Sequence, residues 1–133
     1  MSYWRLFYHV VWATRERLPL IEPGWEADLY GYLWGKATAL NCIVHAIGGM
    51  PEHVHVVLSI PPKLAVATIV GKLKGSSSHH INGRFVSDGL FDWQNEYGVV
   101  SFSESVLPKI VEYVTTQKIH HASNRLNDKL EST

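Results

Sequence analysis

The stretch PEHVHVVLSI, residues 51–60, is the part of the sequence that decides the fold. Its β-branched and aliphatic residues predict a buried strand, which the two prolines that follow it would end. Side chains alternate between the faces of a strand, so Val54 and Val56 share the core face. His53 and His55 share the opposite face, about 7 Å apart along the strand. We therefore expect two imidazoles on the sheet face that points away from the helix-packed core.

Strand and helix patterns alternate on both sides of this stretch. Strands are predicted over residues 3–13, 42–46 and 98–102, and helices over residues 23–41, 64–80 and 108–126. The resulting order, β-α-β-β-α-β-α, contains two β-α-β halves. It is typical of a ferredoxin-like antiparallel sheet with helices on one face. We predict an α+β fold in one domain, residues 1–133, to which the last helix is an addition.

The segments that join these elements carry their own signals. We expect glycines at positions 48 and 49 to end the second strand, and Asn82 to end the second helix. Ser103 and Ser105 are candidate N-caps of the last helix. Residues 84–96 form a predicted loop, in which two aromatic residues, Phe91 and Trp93, would act as anchors.

Composition excludes several classes of protein. The 133 residues are 46% hydrophobic, which is enough for one core, and no apolar run is long enough to span a bilayer. We expect no secretory signal in MSYWRLFYHV. The single cysteine, Cys42, excludes an internal disulfide and suits a reducing cytoplasm. Twelve basic and twelve acidic residues give no net charge, so any contact with nucleic acid must depend on local basic patches.

Two histidines at positions i and i+2 are a weak motif on their own. They can converge on one divalent cation, but a complete metal site needs a further donor from elsewhere in the chain. The simpler interpretation is a pair of half-exposed imidazoles on an open sheet face. A histidine-triad nucleotide hydrolase would require a third alternating histidine, and that position is occupied by Val57.

The last helix carries a candidate for the missing donor in VEYVTTQKIHH, residues 111–121. Tyr113 and Gln117 are four residues apart, so they lie on one line of the helix, at the edge of its apolar stripe. We expect both to be half-buried there, where a tyrosine often only packs its ring. Combined with the histidine pair, the Gln117 amide oxygen could complete a divalent cation site. The Tyr113 hydroxyl could then attack a phosphate without a nucleotide cofactor.

Side chains that could contact phosphates occur in two segments. They are Arg15 and Arg17 in the turn TRERL, and Lys72, Lys74, Ser76, Ser77 and Arg84 in and after the second helix. A solvated helix end would have a similar composition, so this interpretation stays open for the second group.

Four segments, in this order, resemble the single-tyrosine transposases of the insertion-sequence 200/605 type. MPEHVHVVLSI resembles their HUH motif, His-hydrophobic-His, and VEYVTTQKIHH resembles the helix that carries their nucleophile. YHVVWATRERLPLI, residues 8–21, resembles their opening strand and turn. WQNEYGVVSFSES, residues 93–105, resembles the segment before the catalytic helix. The resemblance covers nearly the whole chain.

The resemblance implies an activity and a set of site residues. Such enzymes cut and rejoin single-stranded DNA at the hairpin-marked ends of a mobile element, forming a 5′-phosphotyrosine with the help of Mg²⁺ or Mn²⁺. By position, Tyr113 would be the nucleophile, and His53, His55 and Gln117 the metal ligands. The resemblance also implies a homodimer in which the tyrosine helix of one subunit can complete the histidine pair of the other.

Three other functions stay open at this point. A non-catalytic DNA-hairpin-binding protein could use the same scaffold, although all four site residues are present. Another HUH enzyme, such as a replication initiator or a relaxase, would generally be larger. A metal-binding sheet protein unrelated to DNA would need neither the TRERL turn nor the tyrosine and glutamine of the last helix.

Overall fold

The computed structural model describes residues 3–86, 88 and 90–118, and places a four-stranded sheet between two layers of helices. Its main elements, in chain order, are β1 (Phe7–Ala13), α1 (Glu26–Ala39), β2 (Ile43–Met50), β3 (His53–Ser59), α2 (Val66–Arg84), β4 (Gly98–Phe102) and α3 (Leu107–Thr115). The strand order is β2-β3-β1-β4, and each neighbouring pair is antiparallel. The predicted ferredoxin-like α+β fold is therefore confirmed.

The larger core lies between the sheet and the layer formed by α1 and α2. Strand alternation sends every second side chain of β1 and β3 into this core, as the sequence predicts. Burial of one such aliphatic side chain stabilises the fold by about 1.5–3 kcal/mol. The core includes Val10, Trp12, Leu29, Leu33, Val54, Val56, Leu58, Ile69 and Leu73. None of the helices in the described part of the chain is long and apolar enough to cross a membrane.

Two predicted strand boundaries are wrong, and the pairing of the strands explains both. β1 begins at Phe7 rather than at residue 3, because its ladder with β4 begins at Phe7 and its ladder with β3 begins at Tyr8. β2 does not end at its glycines, because Gly48 pairs with His55 and Gly49 pairs with Val54. The strand therefore continues to Met50, directly before the tight link to β3.

Two helix boundaries also differ from the prediction. α1 begins at Glu26, after a turn that contains Pro23. α2 continues to Arg84, and Asn82 does not end it. Instead, the Asn82 side chain donates a hydrogen bond to the Phe91 carbonyl (2.8 Å) and accepts one from the Phe91 amide (3.1 Å). Asn82 thus fastens the following loop to the helix.

The aromatic anchors of that loop are confirmed. Phe91 and Trp93 are buried, and their rings are in edge-to-face contact. Trp93 also contacts Trp12 of β1 edge to face, and its Nε1 donates a hydrogen bond of 2.9 Å to the Ser77 hydroxyl. Ser77 is a core residue of α2 and is closed to solvent.

Replacing Ser77 by alanine should lower the free energy of unfolding by about 1–3 kcal/mol, because the buried indole N–H of Trp93 would lose its acceptor. Urea unfolding monitored by circular dichroism measures this change. Ser78→Ala is the matched control, since the Ser78 hydroxyl only donates to the Gly75 carbonyl of its own helix. Equal stabilities of the two variants would contradict the role assigned to Ser77.

α3 forms the second helical layer, on the sheet face opposite α1 and α2. A small cluster of buried residues joins it to β2 and β3, made up of Ala46, Val57, Tyr113 and Val114. The sequence predicted a helix extending to about Leu126. α3 instead ends at Thr115, with Thr116 as its C-cap, and residues 119–133 lie outside the described residues. Ser103 and Ser105 do not cap the helix with their side chains. Their hydroxyls hydrogen-bond to each other (2.8 Å), and a short 3-10 turn, Glu104–Val106, leads into α3.

The approach of α3 to the sheet depends on a glycine of β2. A Cβ atom built on Gly48 would lie 2.0 Å from the carbonyl oxygen of Val114, far inside van der Waals contact. Any side chain at this position would therefore push the helix off the strand. Gly48 therefore has a packing role, which the expectation that it ends β2 did not include.

Candidate active site

The two histidines of β3 lie buried beneath α3. His53 is 1% exposed and His55 is 0% exposed, so the simpler interpretation, half-exposed imidazoles on an open face, is wrong. The reason is that α3 covers this face, and the periodicity of the sequence could not predict where α3 packs. The two ring centroids are 5.0 Å apart, closer than the repeat of about 7 Å along a strand. The rings therefore converge, as a shared cation would require.

Gln117 is the third predicted donor, and the structure places it against the pair. Its Oε1 lies 3.4 Å from the Nε2 of His53, and its side chain is 2% exposed. The amide nitrogen donates a hydrogen bond of 3.1 Å to the carbonyl of Tyr113, one turn earlier. This bond holds the amide so that its oxygen faces the imidazole.

Tyr113, in the last turn of α3, completes the cluster. Its ring is edge to face with that of His55, with 6.0 Å between the centroids. The side chain is only 9% exposed, so the expected half-exposed position is wrong. α3 rests on both β2 and β3, and it therefore buries a wider arc of its surface than its aliphatic stripe alone indicated.

The Nδ1 atom of each histidine has a hydrogen-bond partner. His53 Nδ1 lies 3.0 Å from the Oε1 of Glu52, and His55 Nδ1 lies 2.7 Å from the Nε2 of His9. A metal would therefore be held through Nε2 of both rings. Partners of this kind orient metal-binding imidazoles in proteins generally.

Sequence reasoning missed His9. Alternation along β1 places it on the same face as Phe7 and Val11, which was visible in the sequence. The sequence could not show that His9 lies beside His55, because this contact depends on the strand register, in which Val11 pairs with His55.

The candidate ligands combine nitrogen and oxygen donors, which suits a divalent cation that binds both. No group of three histidine, cysteine, aspartate or glutamate side chains suited to a metal occurs within residues 3–86, 88 and 90–118. The candidate site instead combines two imidazole nitrogens with the amide oxygen of Gln117. Imidazole suits transition metals and amide oxygen suits Mg²⁺ and Mn²⁺, so of the two predicted ions this set suits Mn²⁺ better.

The turn after β1 carries two of the predicted DNA contacts. Arg15 and Arg17 are both exposed, and the turn adjoins the histidine pair because Ala13 pairs with His53. Glu16 and Arg17 have positive φ angles of 56° and 54°. Such angles are strained for residues other than glycine, and this strain is often kept at functional sites.

The predicted DNA contacts on α2 lie on the opposite side of the sheet from the histidine pair. Some of them are exposed and others are not. Lys72 and Arg84 are exposed, and the Ser76 hydroxyl donates to the Lys72 carbonyl (2.7 Å). Ser77 is buried and therefore unavailable to DNA in this fold. The Lys74 ammonium donates to two loop carbonyls, and burial lowers its pKa. Lys74 also lines a cavity of about 390 Å³ between α2 and the loop.

The C-terminal end of α3 is tied to the rest of the domain by a lysine. Lys118 Nζ lies 2.7 Å from the Glu26 carboxylate of α1 and donates a hydrogen bond of 3.1 Å to the Gly49 carbonyl of β2. These contacts lie one residue beyond Gln117 and help to keep α3 over the histidine pair.

The chain is similar to known transposases along most of its length. A family described as "Transposase IS200 like" has a sequence model that matches residues 2–117. The ISDra2 transposase TnpA of Deinococcus radiodurans is 26% identical over 119 residues, which are 86% of this chain and 85% of that protein. The transposase for insertion sequence element IS200 of Salmonella typhimurium is 28% identical over 92 residues, which are 69% of this chain and 60% of that protein.

Solved structures show the same similarity. A crystal structure assigned as a transposase of Deinococcus radiodurans R1 has a TM-score of 0.70 at 26% identity, covering 86% of this chain and 92% of that one. A REP-associated tyrosine transposase bound to a REP hairpin has the same fold, with a TM-score of 0.66 at 16% identity, covering 91% and 74% of the two chains. The extent of the family match establishes that the chain belongs to the IS200-like transposases.

Proposed function

We propose that the protein cleaves and rejoins single-stranded DNA at the ends of an insertion sequence, in the cytoplasm of a prokaryote, through a covalent bond to Tyr113. The observation that carries this proposal is the placement of Tyr113 in α3, and of Gln117 just after α3, against two converging imidazoles. Tyrosine is a known covalent nucleophile, and it needs a polarised target to attack at neutral pH. A non-catalytic hairpin-binding protein would not need this arrangement.

The proposed step exchanges one phosphoester for another. The Tyr113 hydroxyl oxygen attacks the phosphorus, forming an O–P bond while the bond between phosphorus and the 3′ oxygen breaks. The phenol proton is lost to solvent, and the departing 3′ oxygen takes up a proton. The 5′ phosphate stays on the tyrosine until another 3′ hydroxyl displaces it, so no nucleotide cofactor is consumed.

Mg²⁺ or Mn²⁺ would be held by Nε2 of His53, Nε2 of His55 and Oε1 of Gln117. When bound, such an ion polarises a phosphate oxygen. The protein contributes the convergence of the two imidazoles, the amide oxygen oriented by the Tyr113 carbonyl, and a buried setting that excludes water.

Alanine at both His53 and His55 should weaken Mn²⁺ binding by more than the roughly 10–100-fold that loss of a ligand's outer partner costs. Isothermal titration of the metal into the protein measures the effect. His45→Ala is the control, since His45 hydrogen-bonds to Ser59 at 2.9 Å and lies outside the proposed site. Undiminished Mn²⁺ affinity in the double variant would exclude the pair as ligands.

Single-stranded DNA with subterminal hairpins is the proposed substrate. Support comes from the structural relative that binds a REP hairpin and from the exposed Arg15 and Arg17 beside the histidine pair. Contacts to phosphates position DNA without reading its sequence. Binding should therefore weaken as salt is raised, with a shallower dependence when both arginines are replaced by glutamine.

The decisive experiment for the proposed function is covalent capture of DNA. The protein is incubated with Mn²⁺ and a pool of hairpin-bearing single strands with randomised flanks, then denatured. We expect a DNA adduct that survives denaturation, and mass spectrometry should locate it on the peptide that contains Tyr113. A parallel sample with EDTA is the control. Absence of any adduct across the pool, from protein that binds both Mn²⁺ and hairpins, would contradict the proposal.

A homodimer is the proposed assembly. The edge strand β4 supports it, because Val99 and Val100 are 41% and 48% exposed on a strand whose outer edge has no neighbouring strand among the described residues. An apolar edge of this kind is a template for pairing with a second chain. Sedimentation at micromolar concentration should give about twice the monomer mass.

Lysine at Val100 should convert the dimer to monomer, because a charge on an edge strand opposes pairing. The same change at Ile43, 55% exposed on the opposite edge strand, is the control and should leave the dimer intact. A wild-type protein that sediments as a monomer with and without DNA would contradict the proposed assembly.

A further inference from the structure

We propose that His9 is a positioning residue that fixes the tautomer of His55, and thereby decides which ring nitrogen of His55 can bind a metal. The inference rests on the proposed function, since it concerns the same histidine pair. His9 lies on β1, is 2% exposed, and stacks on His55 with 4.9 Å between centroids and 23° between ring planes. The His9 Nε2 and the His55 Nδ1 are 2.7 Å apart.

A hydrogen bond between two neutral imidazoles can be arranged in only two ways, because each ring carries one proton on one nitrogen. In the first, His55 donates from Nδ1 to His9, and the lone pair of His55 Nε2 is available to a cation. In the second, His9 donates, and the proton of His55 sits on Nε2, which then cannot bind a metal. The proposed site requires the first arrangement, so His9 must act as the acceptor.

The strand register fixes the contact between His9 and His55. Val11 of β1 pairs with His55, and His9 pairs with Val57, so the two histidines are diagonal neighbours on one sheet face. Two backbone ladders hold β1 in place, one with β3 and one with β4. His9 therefore approaches His55 from a rigid central strand rather than from a loop.

The two metal-binding histidines use different partners, and burial explains the difference. Glu52, which contacts His53, keeps 28% of its side chain exposed to solvent. A carboxylate at position 9 would be almost completely buried, and an isolated charge there would be costly. A neutral imidazole supplies an acceptor nitrogen without that cost.

Two substitutions of His9 test whether it acts as a hydrogen-bond acceptor or only fills space. His9→Phe keeps an aromatic ring of similar size but has no acceptor. His9→Gln places an amide oxygen near the position of Nε2 and restores one. We expect His9→Phe to weaken Mn²⁺ binding by about 10–100-fold, as loss of a ligand's orienting partner generally does. His9→Gln should stay within a few-fold of the wild type, and urea unfolding checks that both variants fold.

Nitrogen-15 NMR of the metal-free, DNA-free protein reads the tautomer directly. The His55 signals, identified by their loss in His55→Asn, should show the proton on Nδ1 in the wild type and an average of both tautomers in His9→Phe. A wild-type His55 protonated on Nε2 would overturn the inference. Equal weakening of Mn²⁺ binding in folded His9→Gln and His9→Phe would also overturn it. Because the tautomer is measured without metal or DNA, failure of the protein to form a DNA adduct would count against the proposed function alone.

Discussion

Tyr113→Phe is expected to abolish covalent attachment to DNA while leaving hairpin binding near that of the wild type. Removal of the nucleophile should lower the rate of strand cleavage by at least about 1,000-fold, in line with the large losses seen when other enzymes lose theirs. The phenyl ring still fills the space among Ala46, Val57 and Val114. Loss of the hydroxyl should cost about 0.5–1.5 kcal/mol of stability. Denaturing gels measure adduct and cleavage, and fluorescence anisotropy measures binding.

Tyr97→Phe is the matched control for this experiment. Tyr97 directly precedes β4 in the sequence. It packs against the core shared with α1 and α2, on the opposite side of the sheet from the histidine pair. The variant should form the adduct at the wild-type rate. An adduct that persists in Tyr113→Phe but disappears in Tyr97→Phe would show that α3 does not carry the nucleophile.

Gly48→Ala is expected to displace α3 from the sheet. The added methyl group would meet the Val114 carbonyl at 2.0 Å, and backbone cannot yield as a flexible side chain would. Overpacking of this kind costs about 1–3 kcal/mol. Tyr113 and Gln117 would move with the helix, so Mn²⁺ affinity and adduct formation should both fall. Hydrogen exchange should accelerate at the amides of residues 107–115, while the sheet stays protected.

Gly35→Ala provides the same chemical change without the collision. Gly35 lies in α1, and a Cβ atom there would meet nothing within 4 Å. Alanine should stabilise this helix by about 0.5–1 kcal/mol. If Gly48→Ala had the stability, the α3 protection and the Mn²⁺ affinity of the wild type, close seating of α3 on β2 would be wrong.

The order of the elements and the faces of their side chains could be predicted from the sequence, because both depend on short-range periodicity. Alternation placed Val54 and Val56 in the core and His53 and His55 opposite them. Helical spacing likewise placed Tyr113 and Gln117 on one line of α3. These inferences need no knowledge of which elements touch.

Features that depend on docking could not be predicted. Burial of the histidine pair follows from the position of α3, which its own periodicity does not specify. The contact between His9 and His55 requires the register of β1 on β3. Ser77 lies one turn after Leu73 on the buried stripe of α2, which helical spacing indicates, but its hydrogen bond to the Trp93 indole depends on how the loop docks.

Because α3 buries the candidate site, α3 and the DNA substrate compete for the same face of β3. His53, His55 and Gln117 are at most 2% exposed, so a phosphodiester can reach the histidine pair only after α3 and the residues that follow it have shifted relative to β3. The free energy of that movement is subtracted once from the summed free energy of the DNA contacts, and a tenfold smaller population of the displaced state weakens the apparent affinity tenfold. The ion pair between Lys118 and Glu26 adds to this cost. DNA therefore binds at the site only when its contacts elsewhere on the protein offset the free energy of displacing α3.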